Sequence, residues 1–82
     1  MTPMTVAVAQ AKAEIVRLRN LAGWQRGSYA RSHYRQAEHP AYAGQDMVCI
    51  SKAQQAERFA AGNDAQADII QARIDADAGE IT

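Results

Sequence analysis

The chain has 82 residues, with nine basic and nine acidic side chains and a formal charge of zero. This length allows one domain and leaves little material to enclose a dry catalytic cleft. The hydrophobic share is 48%, but eighteen of these residues are alanines, which favour helix and bury little surface. The composition therefore predicts a single all-α domain over residues 1–82, folded as a small three-helix bundle.

Charged residues are sorted along the chain. Residues 1–37 carry six basic and one acidic side chain, whereas residues 38–82 carry three basic and eight acidic ones. Four of the five aromatic residues lie in or beside the basic stretch: Trp24, Tyr29, Tyr34 and Tyr42. Because local fields rather than net charge steer molecular encounters, this sorting predicts a basic, aromatic contact surface.

A long helix is predicted over residues 1–22. Pro3 suits the first turn of a helix, and Gly23 suits the position just after its end. Spacings of three and four place four apolar residues on one face: Val8, Ala11, Ile15 and Leu18. A second apolar row predicts that this helix contacts two neighbours, or its own core and a partner. That row consists of Val6, Ala9, Ala13 and Val16.

Residues 23–45 are predicted to form an irregular basic and aromatic loop region. Glycines and a proline interrupt it at Gly23, Gly27, Pro40 and Gly44. Ser28 could cap a short helix that reaches about Ala37. On such a helix Arg31 and Arg35 would lie four residues apart, with Tyr34 beside them.

Two further helices are predicted over residues 46–62 and 64–78, followed by a tail at 79–82. The Gly62-Asn63 pair indicates a break, which implies an antiparallel helical hairpin. A seam of small residues would allow close helix approach: Cys49, Ala53, Ala56 and Ala60. The last helix would bury Ala67, Ile70, Ile74, Ala78 and Ile81. Residues 47–50 are apolar enough to form a short strand instead.

The one cysteine, Cys49, cannot form a disulfide within the chain, and its apolar neighbours predict a shielded side chain. The sequence shows neither a secretory leader nor a membrane-spanning stretch, so a cytoplasmic location is expected. The separations of His33, His39 and Cys49 fit no usual zinc pattern. No catalytic motif is present, and we expect no enzymatic activity, metal or cofactor.

The basic, aromatic segment carries the candidate partner-binding residues. They are Arg17, Arg19, Trp24, Arg26, Tyr29, Arg31, Tyr34 and Arg35. Arginine pairs with carboxylate or phosphate, and Trp, Tyr and Arg are enriched in protein–protein hot spots. The leading hypothesis is a non-enzymatic protein that binds an acidic protein surface. A nucleic-acid-binding accessory protein is the first alternative, although a helix-turn-helix at Gly62 would present acidic residues to phosphates.

Two other interpretations use the same residues. In a homo-oligomer, the basic half of one copy would meet the acidic half of the next, head to tail. Alternatively, Trp24, Tyr29 and Tyr34 would complete the core, and the arginines would bond to the acidic C-terminal helix. By its size and its richness in alanine and glutamine, the chain resembles small accessory proteins of phages and mobile elements. That resemblance implies a binding role, as a host-directed inhibitor or a virion component.

Overall fold

A computed structural model describes the backbone of residues 3–81 and the side chains of residues 6–77. The chain is 94% helical and has no strand in that range, which confirms the all-α prediction. The helices are α1 (Pro3–Trp24), a π-helical turn (Gln25–Ala30), α2 (Arg31–Glu38), a 3-10 turn (Pro40–Tyr42) and α3 (Asp46–Ile81). They form a hairpin of two long antiparallel rods, so the predicted three-helix bundle is wrong.

The first rod runs through α1, the π-helical turn and α2 without a break. Trp24 and Arg31, which flank the π-helical turn, both have right-handed helical backbone angles. The predicted loop region 23–45 is therefore helical as far as Glu38, and the short helix expected near residues 28–37 belongs to this rod. Gly23 and Gly27 do not end the helix because neither adopts a positive φ.

The chain reverses over residues 39–45. His39 is extended, as expected before a proline, and its Nδ1 accepts a hydrogen bond of 3.1 Å from the Ala41 amide. Gly44 has φ +89°, a conformation that favours glycine, and this allows the chain to enter α3. Asp46 then lies in the first turn of α3, where its negative charge complements the helix dipole.

The predicted break at Gly62-Asn63 does not exist, because α3 continues from Asp46 to Ile81. A glycine inside a helix costs only about 1 kcal/mol relative to alanine, and packing can outweigh that cost. Here Ala60 and Ala67 are fully buried on either side of the glycine. The Asn63 amide also donates a partly buried hydrogen bond of 2.9 Å to Gln25, across the two rods. The proposed start of a third helix at Asp64 is therefore corrected as well.

Small residues fill the contact between the rods. The buried positions of α3 recur at alternating intervals of three and four: Cys49, Ala53, Ala56, Ala60 and, seven further on, Ala67. This is the heptad repeat of an antiparallel coiled coil. The predicted small-residue seam and the shielding of Cys49, which is 6% exposed, are thus confirmed. Ala78 and Ile81, predicted to extend the seam, lie outside the described side chains.

The π-helical turn keeps the first rod in register with this seam. Ile15, Leu18 and Ala22 are buried at intervals of three and four, and Gln25 continues the row. The next buried residue is Ala30, five positions after Gln25, because the π-helical turn adds one residue. Ala30 packs with Ala53 and Ala56, and the bulky Tyr29 is turned outward.

The hairpin is a single layer of helices that measures 59 × 19 × 12 Å. Each rod has a length of roughly 54 Å at 1.5 Å per residue, which accounts for the long dimension. Both broad faces of the layer are open, and the second apolar row of α1, including Val6 and Val16, is exposed. In the part of the chain that the structure describes, none of the helices combines the length and the apolar character needed to cross a membrane.

Candidate functional site

One broad face of the hairpin is held together by ion pairs between the rods. Arg19 contacts the Asp68 carboxylate at 2.8 Å and that of Asp64 at 3.6 Å. Arg26 contacts the other oxygen of Asp64 at 2.9 Å. We call the surface formed by Arg19, Arg26, Asp64 and Asp68 the ion-pair face. Two of the predicted partner-binding arginines are therefore neutralised inside the chain.

Arg17 is paired locally. Its Nε donates a hydrogen bond of 2.9 Å to Glu14, one helical turn earlier. This hydrogen bond lowers the pKa of the Glu14 carboxyl and raises the pKa of Arg17. Both side chains are exposed to solvent. Exposed pairs one turn apart contribute little to stability, so the pair mainly cancels the charge of Arg17.

Tyr34 lies on the same side as the ion pairs, opposite Glu57 of α3. Hydrogen bonding to the Glu57 carboxylate raises the pKa of Tyr34, and partial burial and the negative charge act in the same direction. The raised pKa keeps the phenol neutral to a higher pH than an ordinary tyrosine. Tyr34 faces α3 nearer to the bend than Arg19 and Arg26 do.

The opposite broad face carries an exposed aromatic cluster. Trp24 and Tyr29 have ring centroids 5.6 Å apart, and with Phe59 of α3 they line a shallow groove of about 140 Å³. Trp24 is 55% exposed and Phe59 is 57% exposed. We call this surface, with Leu21 and Ile69 on the same helical rows, the aromatic face. The interpretation in which Trp24, Tyr29 and Tyr34 complete the core is not supported, because these side chains lie at the surface.

His33 joins the aromatic cluster to the seam. Its ring meets Tyr29 edge-on, with centroids 4.4 Å apart. His33 Nδ1 is buried and has no hydrogen-bond partner among the described residues. The ring is thus held by packing rather than by polar contacts, and it supports Tyr29 from the inner side.

A second, larger groove lies beside the bend, on the outer side of α2. It has a volume of about 750 Å³ and is lined by Arg31 and Arg35 together with Ser28, Ser32, Gln36, His39 and Tyr42. Within residues 6–77, neither arginine forms an ion pair. We call this the bend groove. It combines two uncompensated positive charges with hydroxyl and amide groups that can bind carboxylates.

The eight predicted partner-binding residues are thus distributed over three surfaces. Arg19, Arg26 and Tyr34 lie on the ion-pair face, and Trp24 and Tyr29 lie on the aromatic face. Arg31 and Arg35 line the bend groove, and Arg17 is paired with Glu14. Sequence reasoning missed Phe59 as a surface residue. The sequence contained a signal for this exposure. Ala60 belongs to the seam, and Phe59 precedes it by one residue, so the Phe59 side chain points to one side of the seam.

No group of three metal-binding side chains occurs among the residues that the structure describes. His33 and His39 are held in different surroundings, one against Tyr29 and one in the bend. Comparison of the chain with protein-family models, with curated proteins and with solved structures gave no match.

Proposed function

We propose that this chain is a non-enzymatic binding protein that uses the bend groove to dock on an acidic protein surface. The observation that carries the proposal is the different state of its arginines. Arg17, Arg19 and Arg26 are matched by carboxylates of the same chain, whereas Arg31 and Arg35 stand one turn apart without a carboxylate partner among the described residues. Two neighbouring guanidinium groups suit two carboxylates of a partner.

An acidic protein suits this surface better than a nucleic acid does. Nucleic-acid-binding domains neutralise many phosphates and are usually strongly basic. This chain has a pI of about 6.7, and its own aspartates occupy much of the basic segment. The bend groove offers two charges and adjacent hydrogen-bonding groups, which is a small, directional site.

The proposal also gives the protein a biological setting. The compositional resemblance to phage and mobile-element accessory proteins supports a role as an inhibitor that covers an acidic surface of another protein. The lone, buried Cys49 supports a reducing, cytoplasmic setting.

The test measures binding of a glutamate-rich peptide and of a single-stranded oligonucleotide of equal charge to the same protein. The variant Arg31→Glu with Arg35→Glu should lose peptide binding by tenfold or more, since interface arginines can contribute about 2 kcal/mol each. Both side chains are exposed, so helicity and melting temperature should stay close to those of the wild type.

The matched control is Lys12→Glu with Arg58→Glu, which makes the same change of charge at two exposed sites away from the groove. Equal loss of binding in both double variants would show that only overall charge matters and would contradict a defined groove. Oligonucleotide binding that exceeds peptide binding and depends on Arg31 and Arg35 would favour the nucleic-acid alternative.

A further inference from the structure

Independently of the bend groove, we propose that the aromatic face is covered by a second copy of this chain. The two hairpins would stack face to face and would form a four-helix bundle. The proposal depends on three features of the hairpin: large apolar side chains exposed along one row, a glycine and the size of the face.

The aromatic face follows a row of α3 that has the period of a second helix contact. This row runs one position before the buried seam, at intervals of three and four, and mixes apolar with polar residues: Val48, Lys52, Gln55, Phe59, Gly62, Gln66, Ile69 and Arg73. Its three large apolar members, Val48, Phe59 and Ile69, are 52–57% exposed. A helix with two heptad rows normally contacts two neighbours, and the hairpin supplies only one.

Gly62 stands in the middle of this row. A Cβ at Gly62 would meet no other atom of the chain within 4 Å, so nothing inside the hairpin requires a glycine there. The glycine nevertheless weakens α3 in the middle of its length. In the proposed dimer, the missing side chain at Gly62 would let the backbones of two helices come together. Phe59 lies one turn away and can pack into the space above the partner's Gly62.

The face is large enough for a stable dimer. The broad side of the hairpin measures 59 × 19 Å, roughly 1,100 Å² in outline. A standard protein–protein interface buries about 800 Å² on each partner. The layer is only 12 Å thick, so stacking two copies supplies the second layer that most helical domains have.

The first experiment measures molar mass by light scattering and sedimentation over a wide range of concentration. The wild type should reach the mass of two chains, and Phe59→Gln should weaken association at least tenfold while circular dichroism remains helical. Val16→Gln is the matched control, because Val16 is also 57% exposed but lies on the ion-pair side of α1. A wild type that stays at the mass of one chain, or equal weakening by both variants, would overturn the proposal.

A second pair of variants separates association from folding. Gly62→Gln should raise helicity and yet abolish the dimer, because its side chain would hold the helices apart. Gly23→Gln, at an open helical position outside the aromatic face, should leave the dimer intact. Dimers that persist in Gly62→Gln would contradict close approach at this glycine.

Dimer formation and peptide binding at the bend groove should be lost through different substitutions. Arg31→Glu with Arg35→Glu removes peptide binding, and Phe59→Gln removes association. Loss of one activity in the other variant would link the two surfaces and contradict their separation.

Discussion

The hydrogen bond between Gln25 and Asn63 divides the hairpin into a bend half, residues 25–63, and an open half, residues 6–24 and 64–77, and the two halves have different cores. In the open half, Ile15 and Leu18 are buried against Ala67 and are flanked by Ile70 and Ile74. In the bend half, the buried cluster consists of Ala30, Ala53 and Ala56. A buried leucine or isoleucine contributes about 1.5–3 kcal/mol, and an alanine contributes much less. The stability of the hairpin is therefore concentrated in the open half.

The bulky residues of the bend half lie outside the seam. Tyr29, Tyr34, Tyr42 and Phe59 are 36–57% exposed, although the bend half has no large aliphatic side chain in its core. Large aromatic groups that are kept off the core are available for contacts with other molecules. The comparison teaches that the large buried side chains lie in the open half, whereas most of the exposed aromatic side chains lie in the bend half.

The largest expected effect comes from deleting single residues in the two rods. Deleting Ala65, an exposed residue of α3, should unfold the hairpin, because it rotates Ala67, Ile70 and Ile74 out of the seam by about 100°. Deleting Gly27 should leave it folded, since removal of the extra residue of the π-helical turn still places Ala30 in the seam. Thermal melting followed by circular dichroism compares the two. A Gly27 deletion as damaging as the Ala65 deletion would show that the π-helical turn does not set the register.

Leu18→Ala should give the next largest effect. Leu18 is 5% exposed in the open half, and truncation of a buried leucine costs about 2–5 kcal/mol, a large part of the stability of so small a domain. The same truncation at Tyr42, in the bend half, should cost less, because 37% of this residue is exposed and it belongs to no buried cluster. Urea unfolding of both variants measures the difference. Comparable losses would mean that the two halves contribute equally.

Asp64→Asn should have a smaller effect. It removes the carboxylate shared by Arg19 and Arg26, and partly exposed pairs of this kind contribute about 0.2–1 kcal/mol each. The loss should shrink at high salt, where such pairs are screened. Asp77→Asn is the control, since the described side chains give Asp77 no ion pair. A salt-independent loss at Asp64 would indicate a packing role instead.

The smallest expected effect is a loss of stability at alkaline pH, caused by the ionisation of Tyr34. Its pKa is raised in the folded chain, chiefly by hydrogen bonding to Glu57, so its contribution to stability is complete below the pKa of an unfolded tyrosine. That contribution is lost as pH rises through the folded-state pKa. Spectroscopic titration should show one tyrosine ionising late, and Glu57→Gln should return it toward the ordinary value. A late step that survives Tyr34→Phe would assign the shift to another residue.

Much of the fold could be predicted from the sequence, because the seam is a local pattern. The three-and-four spacing from Cys49 to Ala60 predicts a close helix contact, and alanine content predicts the helical class. The continuation through Gly62 could not be predicted, since it depends on Asn63 meeting Gln25 on the other rod. Local signals at Gly62-Asn63 favour a break, and tertiary packing overrides them.

The sequence singles out arginine and aromatic residues as candidates, whereas their arrangement on three surfaces depends on the folded chain. Which side of the first rod Tyr29 and Arg31 occupy depends on the one extra residue of the π-helical turn, which rotates the following residues by about 100°. That turn forms because Ala30 fits against Ala53 and Ala56, a condition set by the partner rod. The division of the arginines into paired and unpaired sets likewise depends on which aspartates lie across the contact.

The single-layer hairpin itself is tested most directly by small-angle X-ray scattering in solution. The structure has a radius of gyration of 18.2 Å and a length of 59 Å. Face-to-face stacking adds thickness and leaves the length almost unchanged, so an elongated particle about 60 Å long is expected for one copy or two. A compact three-helix domain of this chain length would have a radius of gyration of about 12 Å. A value near 18 Å would support the exposed faces described above, and a value near 12 Å would contradict them.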